Sequence, residues 1–140
     1  MAWNSYDLDR IAQKLVLLAR ERDPQSLNQS HKMRMAVAYG LERFWGEHLR
    51  LQGKEEAKSK YWKATWDAFC DVMAKTGVTL PKDAVNASET KKIQDISSRL
   101  WAVEIEDQRV ALAVLSQLCD CLVWWTQRYK TGRFVDDGDS

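Results

Sequence analysis

Hydrophobic residues recur at intervals of three or four positions along most of the chain, which is the spacing of one face of an α-helix. The clearest case is the last such segment, which begins near Arg109 and ends before Gly132. Its apolar face consists of Val110, Val114, Leu118, Leu122, Trp125 and Tyr129, and it is widened by Leu115, Cys119 and Val123. A helix with such a broad apolar face needs neighbours on more than one side. We therefore expect it to be the long central helix of a helical domain.

Two amphipathic segments open the chain. The first spans about residues 7–22 and ends at Asp23-Pro24, because the residue before a proline disfavours helical conformation. The second spans about residues 29–52 and is closed by Gly53. Gly40 and Gly46 lie inside it, and glycine is unfavourable within helices, so we expect a bend or a close helix crossing there.

Two more helices precede the last one. The third spans about residues 54–76 and stops at Gly77. Residues 78–88 carry proline, asparagine and serine without helical spacing, which predicts the longest loop. Ser88 caps a fourth helix, whose apolar positions are Ile93, Ile96, Leu100 and Trp101. The acidic run 104–107 either continues that helix or forms the first turn of the last one, where carboxylates favour the positive end of the helix dipole.

These segments predict an all-α fold, a single-domain bundle of about five helices with the long C-terminal helix at its centre. Residues 1–133 would form the bundle, and residues 134–140 would be a flexible acidic tail. A length of 140 residues, with 45% hydrophobic and 29% charged residues, is ordinary for one soluble globular domain.

Composition favours a cytoplasmic protein. The apolar runs are interrupted by charges before they reach about 18 residues, so we expect no membrane span. The first residues lack a basic region followed by an apolar core, so we expect no secretory signal. The cysteines are Cys70, Cys119 and Cys121, an odd number, and the last two point to different sides of one helix. A disulfide framework is therefore not expected, and small apolar core residues are the simpler interpretation.

Residues that support catalysis are scarce. The two histidines, His31 and His48, show no spacing typical of metal ligands, and we expect both at the surface or at helix caps. Glycine-rich phosphate loops and a nucleophile elbow are absent from the sequence. We therefore predict no enzymatic activity, no metal and no cofactor.

Seven tryptophans are many for a chain of this length, and each can bury a large area in a core or an interface. Four lie on apolar faces and are predicted to be core residues: Trp62, Trp66, Trp101 and Trp125. Trp124 is rotated about 100° from Trp125, so it either packs under a neighbouring helix or is exposed as an anchor for a partner. Trp3, before the first helix, likewise either packs against the bundle or is exposed. We predict that Trp3, Trp124 and Arg128 form an interface.

Basic residues fall into three groups: Lys32, Arg34 and Arg43; Arg50, Lys54, Lys58, Lys60 and Lys63; and Arg128, Lys130 and Arg133. Residues 1–63 hold 12 Lys or Arg against 8 Asp or Glu, whereas the remainder hold 9 against 12. The densest group is either a solvated helix face or a patch that neutralises nucleic-acid phosphates without reading bases.

Three segments resemble the small helical subunits of multisubunit CRISPR effector complexes, especially those of type III. They are Ser30-His-Lys-Met-Arg34, Asp107-Gln-Arg-Val-Ala-Leu-Ala-Val-Leu115, and the closing segment from Leu118 to Gly132. The resemblance implies a non-catalytic scaffold subunit of an RNA-guided antiviral complex. Copies of it would stack along guide RNA and target nucleic acid, and would contact other effector subunits and each other through apolar or aromatic patches.

The resemblance implies Lys32 and Arg34 as contacts to the nucleic-acid backbone, and charge density alone adds Arg50, Lys54, Lys58, Lys60 and Lys63. A net charge of +1 departs from the more basic members of that family. The alternative is a helical adaptor or inhibitor that binds only protein, through Trp3, Trp124 and the surface around them.

Overall fold

A computed structural model describes residues 7–129, which contain six α-helices and no β-strand. The helices are α1 (Leu8–Arg22), α2 (Gln29–Ala36), α3 (Leu41–Leu51), α4 (Glu56–Lys75), α5 (Thr90–Trp101) and α6 (Ile105–Tyr129). The predicted all-α single domain is confirmed, with six helices instead of about five. Trp3 and the acidic tail 134–140 lie outside the described residues.

The sixth helix arises because the predicted helix 29–52 is divided at Gly40. After α2 the chain forms a short 3₁₀ turn, Val37–Tyr39, and α3 begins at the next residue after Gly40. Gly40 has φ 98° and ψ 174°, a conformation that is essentially restricted to glycine. Gly46 remains inside α3. One of the two glycines therefore causes the expected change of direction, and the other is accommodated within a helix.

Local hydrogen bonds explain two further boundaries, after α1 and at the end of α4. The Asp23 carboxylate accepts a hydrogen bond from the Gln25 amide at 3.0 Å, and Pro24 opens the 3₁₀ segment Pro24–Asn28. At the end of α4, Gly77 has φ 92°, and the amide that follows it bonds back to the Met73 carbonyl at 3.1 Å. Both ends predicted from Asp23-Pro24 and from Gly77 are thereby confirmed.

The α6 helix lies at the centre, where it packs against α1, α2 and α4. Its fully buried positions include Ala111, Val114, Leu118 and Leu122, each with no exposed surface. The acidic residues at 106 and 107 form its first turn, which decides between the two alternatives for that run. Val110 was expected in the core but is 45% exposed. It lies about 100° around the helix from Ala111, so it leaves the buried face.

Length and composition alone would also allow α6 to cross a membrane. The central helix of a soluble bundle has the same composition, because it too must be apolar on most sides. Here seven of its side chains are buried against the rest of the fold.

An aromatic cluster joins α3 to α4. The ring centroids of Phe44 and Trp62 are 4.9 Å apart, and those of Trp66 and Phe69 are 5.4 Å apart. The indole N–H of Trp66 donates a hydrogen bond of 2.9 Å to the carbonyl of Pro81, which ties the long loop to this cluster. The core positions predicted for Trp62 and Trp66 are confirmed.

A buried hydroxyl network joins three helices. Ser30 of α2 is hydrogen-bonded to the hydroxyl of Tyr61 on α4 and to that of Thr126 on α6, each at 2.6 Å. All three residues have no exposed surface. Burial raises the pKa of Tyr61 to about 12, so the phenol stays protonated and can share its hydrogen with the network. These bonds fix α2, which carries Lys32, against the centre of the bundle.

Candidate functional site

Three basic side chains from three helices act on one carboxylate, Lys58 by direct contact and Lys32 and Arg50 through their charges. Lys58, in the first turn of α4, lies 2.6 Å from Glu55. The hydrogen bond from Lys58 lowers the pKa of Glu55, and the positive charges of Lys58, Lys32 and Arg50 lower it further. Lys32 comes from α2 and Arg50 from the end of α3. We call Lys32, Arg50 and Lys58 the basic corner.

The Nε–H of Arg50 is also shared between the two carboxylate oxygens of Glu47, at 2.8 and 3.0 Å. Lys32 forms no ion pair with the part of the chain that the structure describes, and it is exposed. The basic corner together with Glu47 and Glu55 therefore carries one net positive charge.

Two other predicted contacts, Arg34 and Lys63, face elsewhere. Arg34 donates to Asp120 of α6 at 2.6 Å. Lys63 donates to Asp67 at 2.5 Å and to the carbonyl of Lys82 in the long loop at 3.2 Å. Arg34 thus joins α2 to α6, and Lys63 joins α4 to the long loop. Neither belongs to the basic corner.

Lys54 and Lys60 complete the set of seven predicted nucleic-acid contacts. Both are exposed, and neither forms an ion pair with residues 7–129. They flank Lys58 in sequence, with Lys54 in the connection between α3 and α4 and Lys60 within α4. The seven cations are therefore distributed over several faces, with the largest shared site at the basic corner.

A cleft of about 490 Å³ opens beside the basic corner, between α2 and α3. Lys32 lines it together with Arg43, and the exposed side chains of Met35 and Tyr39 stand at its rim. Its floor is Trp62, whose indole N–H donates to the Gln29 side-chain oxygen at 2.9 Å. We call it the α2–α3 cleft. Sequence reasoning missed Tyr39, although its position just before Gly40 marks it as the end of a helical segment.

A second cleft, of about 330 Å³, lies between α3 and α5 and shares Tyr39 and Arg43 with the first. Its opposite wall includes Trp101, which is 68% exposed. The prediction of Trp101 as a core residue is therefore wrong. Trp101 is the last residue of α5 and lies just beyond the buried turn that ends at Leu100, so no helix covers it. We call this the α3–α5 cleft.

Trp124 is 53% exposed near the end of α6. Its ring meets that of Trp125 edge to face, with centroids 4.8 Å apart. The guanidinium of Arg128 lies 5.6 Å from the centroid of Trp124 and 5.3 Å from that of Trp125. Trp125 is half-buried and donates to Asp9 of α1 at 3.3 Å. We call Trp124, Trp125 and Arg128 the tryptophan pad; of the predicted interface residues, Trp3 alone lies outside the described range.

His48 is 3% exposed, which corrects the expectation of a surface or capping histidine. Its Nδ1 is 2.6 Å from the carbonyl of Trp45, and the rings of the two residues meet edge to face. Burial lowers the pKa of His48, so the imidazole is kept neutral. His31, by contrast, is exposed, as expected.

The described residues show no cluster suited to metal binding, and the three cysteines are held as thiols. Between residues 7 and 129, no three or more His, Cys, Asp or Glu side chains lie close enough to hold a metal ion. Burial raises the pKa of Cys70 and of Cys121 to about 12, and it also raises that of Cys119. A thiol held protonated is a poor nucleophile.

Comparison with known proteins covers sequence families, curated proteins and solved structures. No family model, no curated protein and no solved structure matches the chain. Function therefore has to be argued from the basic corner, the two clefts and the tryptophan pad.

Proposed function

We propose that the protein is a non-catalytic helical scaffold subunit that holds a nucleic-acid backbone at its basic corner and neighbouring subunits at its tryptophan pad. The resemblance noted in the sequence would place such a subunit in an RNA-guided antiviral effector complex, on guide RNA or target nucleic acid. The observation that carries the proposal is the Lys58–Glu55 pair, at 2.6 Å, to whose surroundings Lys32 and Arg50 of two other helices add positive charge.

The ion pairs at the basic corner are weak enough to be exchanged for phosphate. In each pair one partner is exposed and the other partly covered: Arg50 is 64% and Glu47 28% exposed, and Glu55 is 50% and Lys58 21% exposed. Exposed pairs of this kind contribute about 0–1 kcal/mol, because water screens the charges and two long side chains must be ordered. A phosphate could therefore bind these cations at little cost, and Lys32 needs to give up no partner.

The number of cations limits the expected strength of binding. Three phosphate contacts on a single strand give a slope of about −2 for the logarithm of the association constant against the logarithm of salt concentration. Affinity would then fall roughly 20-fold between 50 and 200 mM salt. Such binding suits a subunit whose position is also fixed by protein contacts, and it agrees with a net charge of +1.

Fluorescence anisotropy with a labelled RNA across a salt series tests this proposal. Lys32→Glu should weaken binding several-fold and make the salt dependence shallower by nearly one unit. Arg10→Glu is the matched control, because it makes the same charge change on α1, where the Arg10 side chain is 81% exposed. Equal losses in the two variants would mean that only total charge matters, and the proposed site would be wrong. If no RNA binds at 50 mM salt, alone or with co-purified partners, the nucleic-acid role itself fails.

A protein-binding adaptor is the second candidate, favoured by the tryptophan pad. An exposed Trp124 with Arg128 over its ring combines the two residue types most enriched at binding hot spots. If the protein is an adaptor alone, Trp124→Ala should abolish co-purification of partners or self-association seen by light scattering, while no RNA binding is found. In the scaffold proposal the same variant loses subunit contacts but retains RNA binding.

A further inference from the structure

We infer that Tyr39 and Trp101 are stacking platforms for two neighbouring unpaired bases of a single-stranded nucleic acid, with Arg43 between them and Lys32 on a flanking phosphate. This inference rests on the proposed function and deepens it, because it specifies a single strand instead of a duplex. It also adds residues that were not among the seven predicted contacts.

Tyr39 is presented to solvent by the backbone around it. It ends the 3₁₀ turn after α2, and the positive φ of Gly40 redirects the chain immediately afterwards. The side chain is left 67% exposed, although it belongs to a segment that contributes Val37 to the core. A large exposed aromatic ring without a covering helix has a free surface on which a base can stack.

Arg43 lies beside this platform with its guanidinium 5.9 Å from the centroid of the Tyr39 ring. It lines the α2–α3 cleft and the α3–α5 cleft alike, as does Tyr39. A cation at the boundary between two neighbouring clefts is suited to the phosphate that links two nucleotides. Lys32 also lines the α2–α3 cleft and belongs to the basic corner, so it connects the two.

Trp101 supplies the second platform, across the α3–α5 cleft from Tyr39. Trp101 is 68% exposed, whereas Ile96 and Leu100 of the same α5 stripe are buried. Within residues 7–129, no helix packs over its ring. The acidic residue in this cleft, Glu42, accepts a hydrogen bond of 2.7 Å from Ser97, so part of its acceptor capacity is already used. The two clefts therefore offer aromatic surface next to cations.

This combination favours unpaired bases over a duplex. Bases in a duplex are stacked on one another and leave no face for a tyrosine or tryptophan, whereas a single strand can present each base in turn. Stacking is tolerant of sequence because every base has an aromatic face. We therefore expect preference for single strands, RNA or DNA, without strong preference among bases.

Anisotropy with three labelled probes of equal length tests the inference: a uridine 12-mer, a duplex, and an abasic sugar-phosphate strand. A thymidine 12-mer separates RNA from DNA. Tyr39→Ala and Trp101→Ala should each weaken binding of the uridine strand about 5- to 150-fold, the usual range for loss of one base–aromatic stack. Neither should change binding of the abasic strand, and Tyr39→Phe should bind as the unaltered protein does. Leu18→Ala on α1, where the side chain is 43% exposed, is the control for the loss of an exposed apolar side chain away from both clefts.

A second measurement does not depend on variants. Photocrosslinking of a 5-iodouridine strand, followed by peptide mass spectrometry, should label Tyr39 or Trp101. If all three probes bind equally and the alanine variants leave binding unchanged, the stacking inference is wrong while the proposed function stands. If the variants instead reduce self-association and leave RNA binding intact, the clefts are a protein interface and the inference is again wrong. Absence of binding to every probe overturns the proposed function and this inference together.

Discussion

Replacing Ser30 with alanine should destabilise the protein by far more than the loss of one serine hydroxyl would suggest. Ser30 is the shared partner of the Tyr61 and Thr126 hydroxyls, at 2.6 Å from each, and none of the three residues is exposed. Without Ser30, both remaining hydroxyls lose their partner in the core. The penalty for an unsatisfied buried polar group is about 1–3 kcal/mol, larger than the net gain from the hydrogen bond itself.

The two orphaned hydroxyls are not equivalent. Thr126 lies within α6 and can turn toward a backbone carbonyl one turn earlier, which reduces its cost. Tyr61 has no such option, since its hydroxyl is at the end of a rigid ring. We therefore expect a total loss of roughly 2–4 kcal/mol for Ser30→Ala. For a domain of this size the melting temperature should fall by roughly 6–16 °C.

Urea denaturation followed by circular dichroism measures this loss, with exposed Ser98→Ala on α5 as the control. The triple variant Ser30→Ala, Tyr61→Phe, Thr126→Val removes every hydroxyl of the network while nearly preserving shape. It should recover most of the stability that Ser30→Ala loses, because no buried polar group is then left without a partner. If the triple variant is less stable than Ser30→Ala alone, the network is a net source of stability and the reasoning is refuted.

Three other properties follow from the buried groups and the backbone. Because burial lowers the pKa of His48 below its unfolded value of about 6.5, the unfolded chain binds an extra proton in acid. The free energy of unfolding should therefore be steady above pH 7.5 and decrease as the pH falls through 6.5, and urea titrations of His48→Gln should show a smaller decrease. Gly40→Ala should cost about 1–3 kcal/mol from its φ of 98° alone, since no atom lies within 4 Å of the added Cβ; an unchanged urea midpoint would contradict this. The thiols of Cys70, Cys119 and Cys121 should react slowly with a disulfide reagent at pH 8 until the protein unfolds, and rapid labelling of the native protein would show that they are accessible.

Helices were predictable wherever the apolar spacing continued for several turns, as it does along α1, α4 and α6. The division between α2 and α3 was only partly predictable. Glycine at positions 40 and 46 marks two possible breaks, but the difference between them lies in backbone dihedrals, which only tertiary packing determines. Sequence therefore indicated a change of direction without identifying Gly40 as its cause.

Single residues were misplaced for two physical reasons. His48 continues the apolar stripe of Leu41, Phe44 and Leu51, and its spacing predicts burial, but its polar side chain favoured a surface assignment. Trp101 continues the stripe of α5, but the helix ends there and no neighbour remains to cover it. Spacing tells which side of a helix a residue occupies, whereas burial also depends on how far the neighbouring helix extends.

The sequence predicted which basic residues are close together along the chain, but not which of them share one surface of the fold. Lys58 and Lys63 are five positions apart, which places them roughly 140° apart around α4. Lys63 consequently contacts the long loop, whereas Lys58 pairs with Glu55 just before its own helix. Tyr39 and Arg43 come to line the same two clefts because the chain turns at Gly40. The spacing of residues along one helix could not have predicted this.

The pairing of α1 with α6 has a consequence for how the protein is made. Gln13 donates to the hydroxyl of Tyr129 at 2.9 Å, and Asp9 accepts from Trp125, so the first described helix closes on the last, 116 positions away. During synthesis the part of α1 that packs on α6 stays uncovered until α6 has left the ribosome, whereas α4 and the segment 24–28 can cover other parts of α1 earlier. Contacts so distant in sequence form slowly and leave intermediates prone to aggregation. Synthesis rate and chaperone supply should therefore influence its yield in cells more strongly than for a bundle whose helices pair in order.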